Sequence, residues 1–201
     1  MRQITCIQLD ITSVCDRACP DCCCGINMGM RPAVHHPWSY FCDAAFYLYG
    51  VERVDLFGGE PTTHPLFADI AREFKKLFGC KILSMTTDGF RVVRHKEALR
   101  YFDFIQATPY DERNAPAMAF LKANHPDVRF FPGDFVPRSR IGGGKPCARA
   151  YSETIAYADG KLWPCTPGPG IPGATGIPLT ADWRQRILDV PMPCATCFLS
   201  E

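Results

Sequence analysis

Ile4-Thr5-Cys6-Ile7-Gln8-Leu9-Asp10-Ile11-Thr12 runs directly into Ser13-Val14-Cys15-Asp16-Arg17-Ala18-Cys19-Pro20-Asp21-Cys22. In the first stretch Thr5, Ile7, Leu9 and Ile11 alternate with Cys6, Gln8 and Asp10, the period of two that marks a β-strand. The second stretch is a loop with three thiols spaced C-x3-C-x2-C. A strand that delivers soft metal ligands at its carboxyl end is the seed of the fold.

Outward from this seed, strands and helices alternate. Residues 38–49 are aromatic- and alanine-rich and stop at Gly50, as a helix does. Residues 51–57 read as the second strand, broken by Gly58-Gly59-Glu60-Pro61. Pro65 opens a helix with Leu66, Phe67, Ile70, Phe74, Leu77 and Phe78 on one stripe. A third strand over 81–86 closes at Asp88-Gly89, followed by a helix over 94–101, a strand over 103–108, a helix over 113–123 and a strand over 128–131. Such alternation implies a parallel sheet with right-handed crossovers. The expected class is α/β, a partial (β/α) barrel of about five to six parallel strands. Pattern alone leaves a doubly wound sheet open. Gln8, Asp10, Ser84, Thr86, Gln106 and Thr108 would share one strand face, which suits a sheet curled round a polar ligand.

The 201 residues are 47% apolar and 21% charged, a balance that excludes a disordered tail. No apolar run reaches the roughly 18 residues of a membrane span, and the N-terminus lacks a signal-peptide pattern. No membrane association is expected, and a cytoplasmic location is. The net charge of +1 gives no global pull toward nucleic acid. Twelve cysteines in close-set groups then point to metal or catalysis rather than to a disulfide scaffold.

Residues 132–146 are proline- and glycine-rich, with Arg138, Arg140 and Lys145 around three glycines, and read as a connector. Beyond it Ala158-Asp159-Gly160 signals a hairpin, and a short helix is expected over 182–188. The expected units are a barrel over 1–134, a linker over 135–146, and a small hairpin-plus-helix unit over 147–201. That last unit carries Cys147, Cys165 and the pair Cys194-x2-Cys197, four ligands that suit either a complete [4Fe–4S] cluster or zinc. Cys15, Cys19 and Cys22 would hold three irons of a [4Fe–4S] cluster and leave the fourth open, although Cys23 or Cys24 could complete a zinc site.

The cysteine loop after strand one, Gly58-Gly59-Glu60-Pro61 after strand two and Thr86-Thr87-Asp88-Gly89 after strand three together resemble the radical S-adenosylmethionine (SAM) superfamily. The resemblance implies that Cys15, Cys19 and Cys22 bind a catalytic [4Fe–4S] cluster whose open iron is chelated by SAM. Gly58, Gly59, Glu60 and Pro61 would line the methionine amino group, with Glu60 mainly fixing the turn. Thr86, Asp88 and Thr108 would join the cofactor site, and Tyr110, Asp111 and Arg113 lie at the same strand ends. The family usually has an aromatic where this chain has Asp21. The C-terminal cysteines resemble the twitch half of the SPASM/twitch extension, which implies an auxiliary [4Fe–4S] cluster on Cys147, Cys165, Cys194 and Cys197. The layout is most like that of the inosamine dehydrogenases, which also pair a shortened barrel with one auxiliary cluster.

The implied activity is reductive cleavage of SAM, then hydrogen abstraction from a small polar or nucleoside-like substrate, with flavodoxin or ferredoxin as electron donor. Alternatives are maturation of a ribosomal peptide, modification of a base in DNA or RNA, and a non-enzymatic zinc or iron–sulfur interaction module. The histidines are not expected to bind metal: His35 and His36 read as a surface turn, His64 as a helix N-terminal residue, and His95 and His125 lie near helix ends, where solvated histidine is common.

Overall fold

The computed structural model describes residues 4–19, 22, 24–26, 29, 31–130, 154–166, 168–170 and 173–190. Its strands are β1 (Cys6–Thr12), β2 (Arg53–Gly58), β3 (Ile82–Thr87), β4 (Phe104–Ala107), β5 (Val128–Phe130), β6 (Thr154–Ala158), β7 (Lys161–Trp163) and β8 (Ile177–Pro178). They form one eight-stranded sheet in the order β5-β4-β3-β2-β1-β6-β7-β8. The pairs from β5 through β1 to β6 are parallel, and β7 and β8 are antiparallel. Six parallel strands that do not close decide the choice left open by pattern: this is a partial barrel. Among the described residues no helix is long and apolar enough to cross a membrane.

The helices are α1 (Trp38–Leu48), α2 (Phe67–Phe78), α3 (Lys96–Leu99), α4 (Ala115–Asn124) and α5 (Trp183–Arg186). One strand face supplies Ile7, Leu9, Ile11, Val54, Leu56, Leu83, Met85 and Ile105 to a single core with Phe41, Phe67, Phe74 and Phe78 from the helices. α2 shows the cause plainly. Phe67, Ile70, Ala71, Phe74 and Phe78 recur at helical spacing and are all buried, while Asp69 in the first turn and Lys75 and Lys76 in the last oppose the helix dipole. Truncating Phe74 to Ala would cost about 3–5 kcal/mol on the scale of buried aromatics.

The other strand face is polar, because it is not the face the helices cover. Asp55, fully buried, accepts hydrogen bonds from Gln8 Nε2 (3.0 Å), Ser84 Oγ (2.6 Å) and Thr86 Oγ1 (3.1 Å), and Gln106 Nε2 donates to Thr86 Oγ1 (3.2 Å).

The hairpin expected in a separate unit beyond residue 147 extends this same sheet. β6 pairs in parallel with β1, and Ile155, Tyr157 and Leu162 fill the common core. The apolar alternation of β6 can be satisfied only against an existing sheet, since a two-stranded hairpin buries too little alone. Its turn is as the Asp-Gly pair requires, with φ of 52° at Asp159 and 73° at Gly160. The connector 132–146 and Cys147, Cys194 and Cys197 lie outside the described residues.

Candidate metal and cofactor site

Parallel strands place their carboxyl ends on one edge, and the loops leaving that edge carry the site. β1 reaches it through a bulge, its register against β2 shifting between Asp10 and Thr12 so that Thr12 faces Gly58. The extra residue bends the strand and launches the thiol loop. The returning leg is held against β1: Ser13 N donates to Val34 O (2.9 Å) and His36 N to Ile11 O (3.2 Å). Arg31, on that leg, grips Asp159 of the β6–β7 turn with two bonds of 2.7 Å and also Asp10. The cysteine loop is thereby anchored to the hairpin.

Cys15, Cys19 and Cys22 are half-buried and in no disulfide. Burial pushes the Cys15 thiol up to about 12, so without a metal it keeps its proton. Among the described residues no three His, Cys, Asp or Glu side chains converge as they would on a single ion. A [4Fe–4S] cube binds each thiolate at a separate iron corner, and three thiols on one loop, in no disulfide, are the donor set such a group takes. Cys24 is buried, Cys165 is buried in the turn after β7, and Cys23 and Asp21 lie outside the described residues.

The β2 turn packs directly on this loop. Gly59 N donates to Thr12 O (2.6 Å) and Glu60 N to Val14 O (2.9 Å). A Cβ on Gly58, whose φ is 134°, would meet Thr12 O at 2.2 Å; one on Gly59 would meet Val14 O at 2.1 Å. Both glycines are required by close backbone approach, and Gly58 also by its dihedral.

Glu60 points inward. It accepts from Thr62 N (3.0 Å), Thr87 Oγ1 (2.7 Å) and Asp88 N (2.8 Å), and burial raises its carboxyl above the usual range. Its side chain therefore ties the β2 turn to the end of β3. Pro61 starts a short 3-10 turn and is buried. Thr86 lies on the polar inner face, half-buried. Thr108 N donates to Thr87 O (3.1 Å), which links the ends of β4 and β3.

The sequence reading passed over Arg17, between the first two cysteines. Its Nε donates to Asp88 Oδ2 and its Nη1 to Asp111 Oδ2, both at 3.1 Å; Nη2 reaches Asn114 Oδ1, and the guanidinium lies 4.6 Å above the Tyr110 ring. Asp88 is thus engaged by Arg17 and by Phe90 N (2.8 Å). The Arg113 guanidinium, with Arg17, holds the Asp111 carboxyl well below its usual range. The loop is bolted to the ends of β3 and β4 by one cation. The available signal was an arginine inside a ligand loop facing two strand-end aspartates. Asp55 was missed as well, although it alternates with Val54 and Leu56 on the inward face of β2.

His36 and His125, expected in solvent, are buried, and so is His64 at its helix start. His36 stacks on Tyr40 with ring centroids 4.0 Å apart, His64 bonds His36 O through Nε2 and accepts from Leu66 N at Nδ1 (both 3.0 Å), and His125 bonds Phe102 O (3.1 Å). Each supplies a hydrogen bond or a ring contact that the loops around it lack.

The site is thus a thiol-bearing loop at the edge of an open parallel barrel, braced by a double-glycine turn. No family model matches the chain. GTP 3',8-cyclase of Edwardsiella ictaluri is 35% identical over 101 residues, 47% of this chain and 30% of the cyclase. That of Photorhabdus laumondii is 34% identical over 93 residues, 44% of this chain and 28% of its own. The matched stretch spans less than a third of the length of these curated relatives. BtrN, solved in complex with AdoMet and 2-DOIA, superposes with a TM-score of 0.69 over 98% of this chain and 87% of BtrN, at 15% identity. A BtrN structure in an open conformation gives 0.56 over 80% and 69%, at 14% identity. The chain therefore has the fold of BtrN, and just under half of it is similar in sequence to GTP 3',8-cyclases.

Proposed function

We propose that this protein is a radical SAM enzyme acting on a small polar or nucleoside-like substrate. The observation that carries the reading is the arrangement of three thiols, in no disulfide, on one loop that is locked by backbone bonds from Gly59 and Glu60 and by Arg17 to the ends of β3 and β4. Cys15, Cys19 and Cys22 would hold a [4Fe–4S] cluster. When bound, that cluster supplies one electron to the sulfonium of SAM, whose C5′–S bond breaks to give methionine and a 5′-deoxyadenosyl radical that takes a hydrogen atom from the substrate.

The protein's own part is placement. Carbonyls of the Gly58–Pro61 turn would accept from the methionine amine, and residues at the ends of β3 and β4, with Asp88 and Thr108, would flank the nucleotide. Thr86 and the polar inner face lie below, where a substrate would sit. Cys147, Cys165, Cys194 and Cys197 would hold a second, auxiliary cluster. In a net oxidation it would accept the electron that the substrate radical gives up. The reading takes the enzyme to be cytoplasmic and served by flavodoxin or ferredoxin.

The test is anaerobic reconstitution, an iron and sulfide count, then dithionite and SAM. Roughly eight irons per chain, as two [4Fe–4S] clusters require, with release of 5′-deoxyadenosine support the reading. Cys15→Ala should abolish the release, whereas Cys194→Ala should keep SAM cleavage but lose the iron of one cluster. A colourless zinc protein, or parent-rate cleavage by Cys15→Ala, overturns it.

A further inference from the structure

Arg53 stands at the start of β2 on the inner face, with Cys6 beside it on β1 and Ile82 on β3. Its Nε donates to Cys6 Sγ (2.9 Å), and its guanidinium carbon lies 5.5 Å from the Phe104 ring centroid. Arg129 of β5, which pairs with Gln106 of β4, brings its guanidinium carbon to 4.7 Å from that same ring. Two cations therefore flank one aromatic side chain on the face away from the helices.

Among the described residues neither arginine makes an ion pair. Asp55, the nearest carboxylate on the face, is committed to Gln8, Ser84 and Thr86 instead. Most other described arginines in the site region, Arg17, Arg31, Arg91 and Arg113, are paired with aspartate. Arg53 itself lines a cavity of about 370 Å³ together with Thr5, Cys6, Ile82, Thr154 and the exposed Glu52. Arg53 is half-buried and Arg129 exposed, and with no carboxylate partner among the described residues both guanidiniums keep N–H donors available to an anion.

We propose that Arg53 and Arg129, spaced by Phe104, form an oxyanion site for a phosphate or carboxylate group of a small ligand, at the amino-terminal end of the strands. Arginine suits this task, because its planar fork offers two parallel N–H donors to two oxygens. Phe104 lies within cation–π distance of both guanidiniums, which draws them to one place. On the reading of the inner face as the substrate's side, this site assigns a chemistry to the substrate. It carries an oxyanion at the end remote from the cysteine loop. About five strand residues at roughly 3.3 Å each separate Arg53 from the carboxyl edge, a span of about 16 Å that suits a nucleotide or sugar-phosphate reaching toward the cofactor.

Calorimetric titration of the purified protein with inorganic phosphate, ribose 5-phosphate and glucuronate tests the site without SAM or cluster chemistry. It fails or succeeds independently of SAM cleavage. Saturable binding of ribose 5-phosphate or glucuronate is expected, weakened about tenfold or more by Arg53→Gln and by Arg129→Gln, the scale of one charge-assisted contact. The tighter of the two ligands assigns phosphate or carboxylate. Arg100→Gln, an exposed arginine stacked on Tyr101, should leave binding unchanged. Because Arg129 is exposed, its variant carries the test should Arg53→Gln fail to fold. Absence of saturable binding by every probe at millimolar concentration, or binding indifferent to both substitutions, overturns the proposal.

Discussion

Replacing Gly59 by alanine isolates the packing of the double-glycine turn on the cysteine loop. The new Cβ would stand 2.1 Å from Val14 O and 2.6 Å from Val14 C. Both are backbone atoms, so no side chain can swing aside; the turn or the loop must move. Movement of about 1 Å forfeits the bonds from Gly59 N to Thr12 O and from Glu60 N to Val14 O, each worth about 1 kcal/mol. With about 1–3 kcal/mol of residual overpacking, the loss comes to about 3–5 kcal/mol.

Gly50→Ala is the matched control. Its φ of 78° strains an alanine, but nothing lies within 4 Å of the added atom, so the cost is the dihedral alone, about 1–2 kcal/mol. Urea denaturation of both variants beside the parent gives the two losses. Iron bound per chain after reconstitution then reports on the loop, and only Gly59→Ala should lower it. A Gly59→Ala midpoint no lower than that of Gly50→Ala, with full iron loading, would refute the tight apposition of turn and loop.

Arg17→Lys keeps the charge but cannot span Asp88, Asp111 and Asn114 at once. It should lower stability by about 2 kcal/mol, read by urea denaturation, and reduce iron retention; parental values for both would remove the bolt. Burial lowers the pKa of His36 from 6.5 to about 4, with Asp159, Arg31, His64 and His35 nearby. The unfolded chain therefore takes up a proton that the folded ring refuses. Stability is fully present above pH 6.5 and should fall by about 1–3 kcal/mol as the pH drops toward 4. His36→Phe keeps the stacking on Tyr40 and should flatten that slope in pH-dependent thermal melts; an identical slope would show that His36 does not titrate as described.

Much of the scaffold was legible because its determinants are local. The alternation in residues 4–12 gave β1, the stripe from Phe67 to Phe78 gave α2, and the Asp-Gly pair gave the β6–β7 turn. Spacing alone grouped Cys15, Cys19 and Cys22 on one loop, and the order of that loop and the Gly-Gly-Glu-Pro turn placed them at consecutive strand ends. The expected solvation of His36 and His125 does not hold, because burial depends on what folds over a loop rather than on the loop's own residues.

The amino-acid order by itself determined the alternation of strands and helices, the thiol loop and the glycines that brace it, because backbone propensity and side-chain period act over a few residues. Only the tertiary structure decided that Arg17 meets Asp88, Asp111 and Asn114, partners 71, 94 and 97 residues away, that Arg31 meets Asp159, and that β6 adds to β1. Charges find their partners, and strands their neighbours, through the path the chain takes in space. That path is fixed by burying one apolar face of the sheet, a condition satisfied by the whole chain at once and visible at no single position.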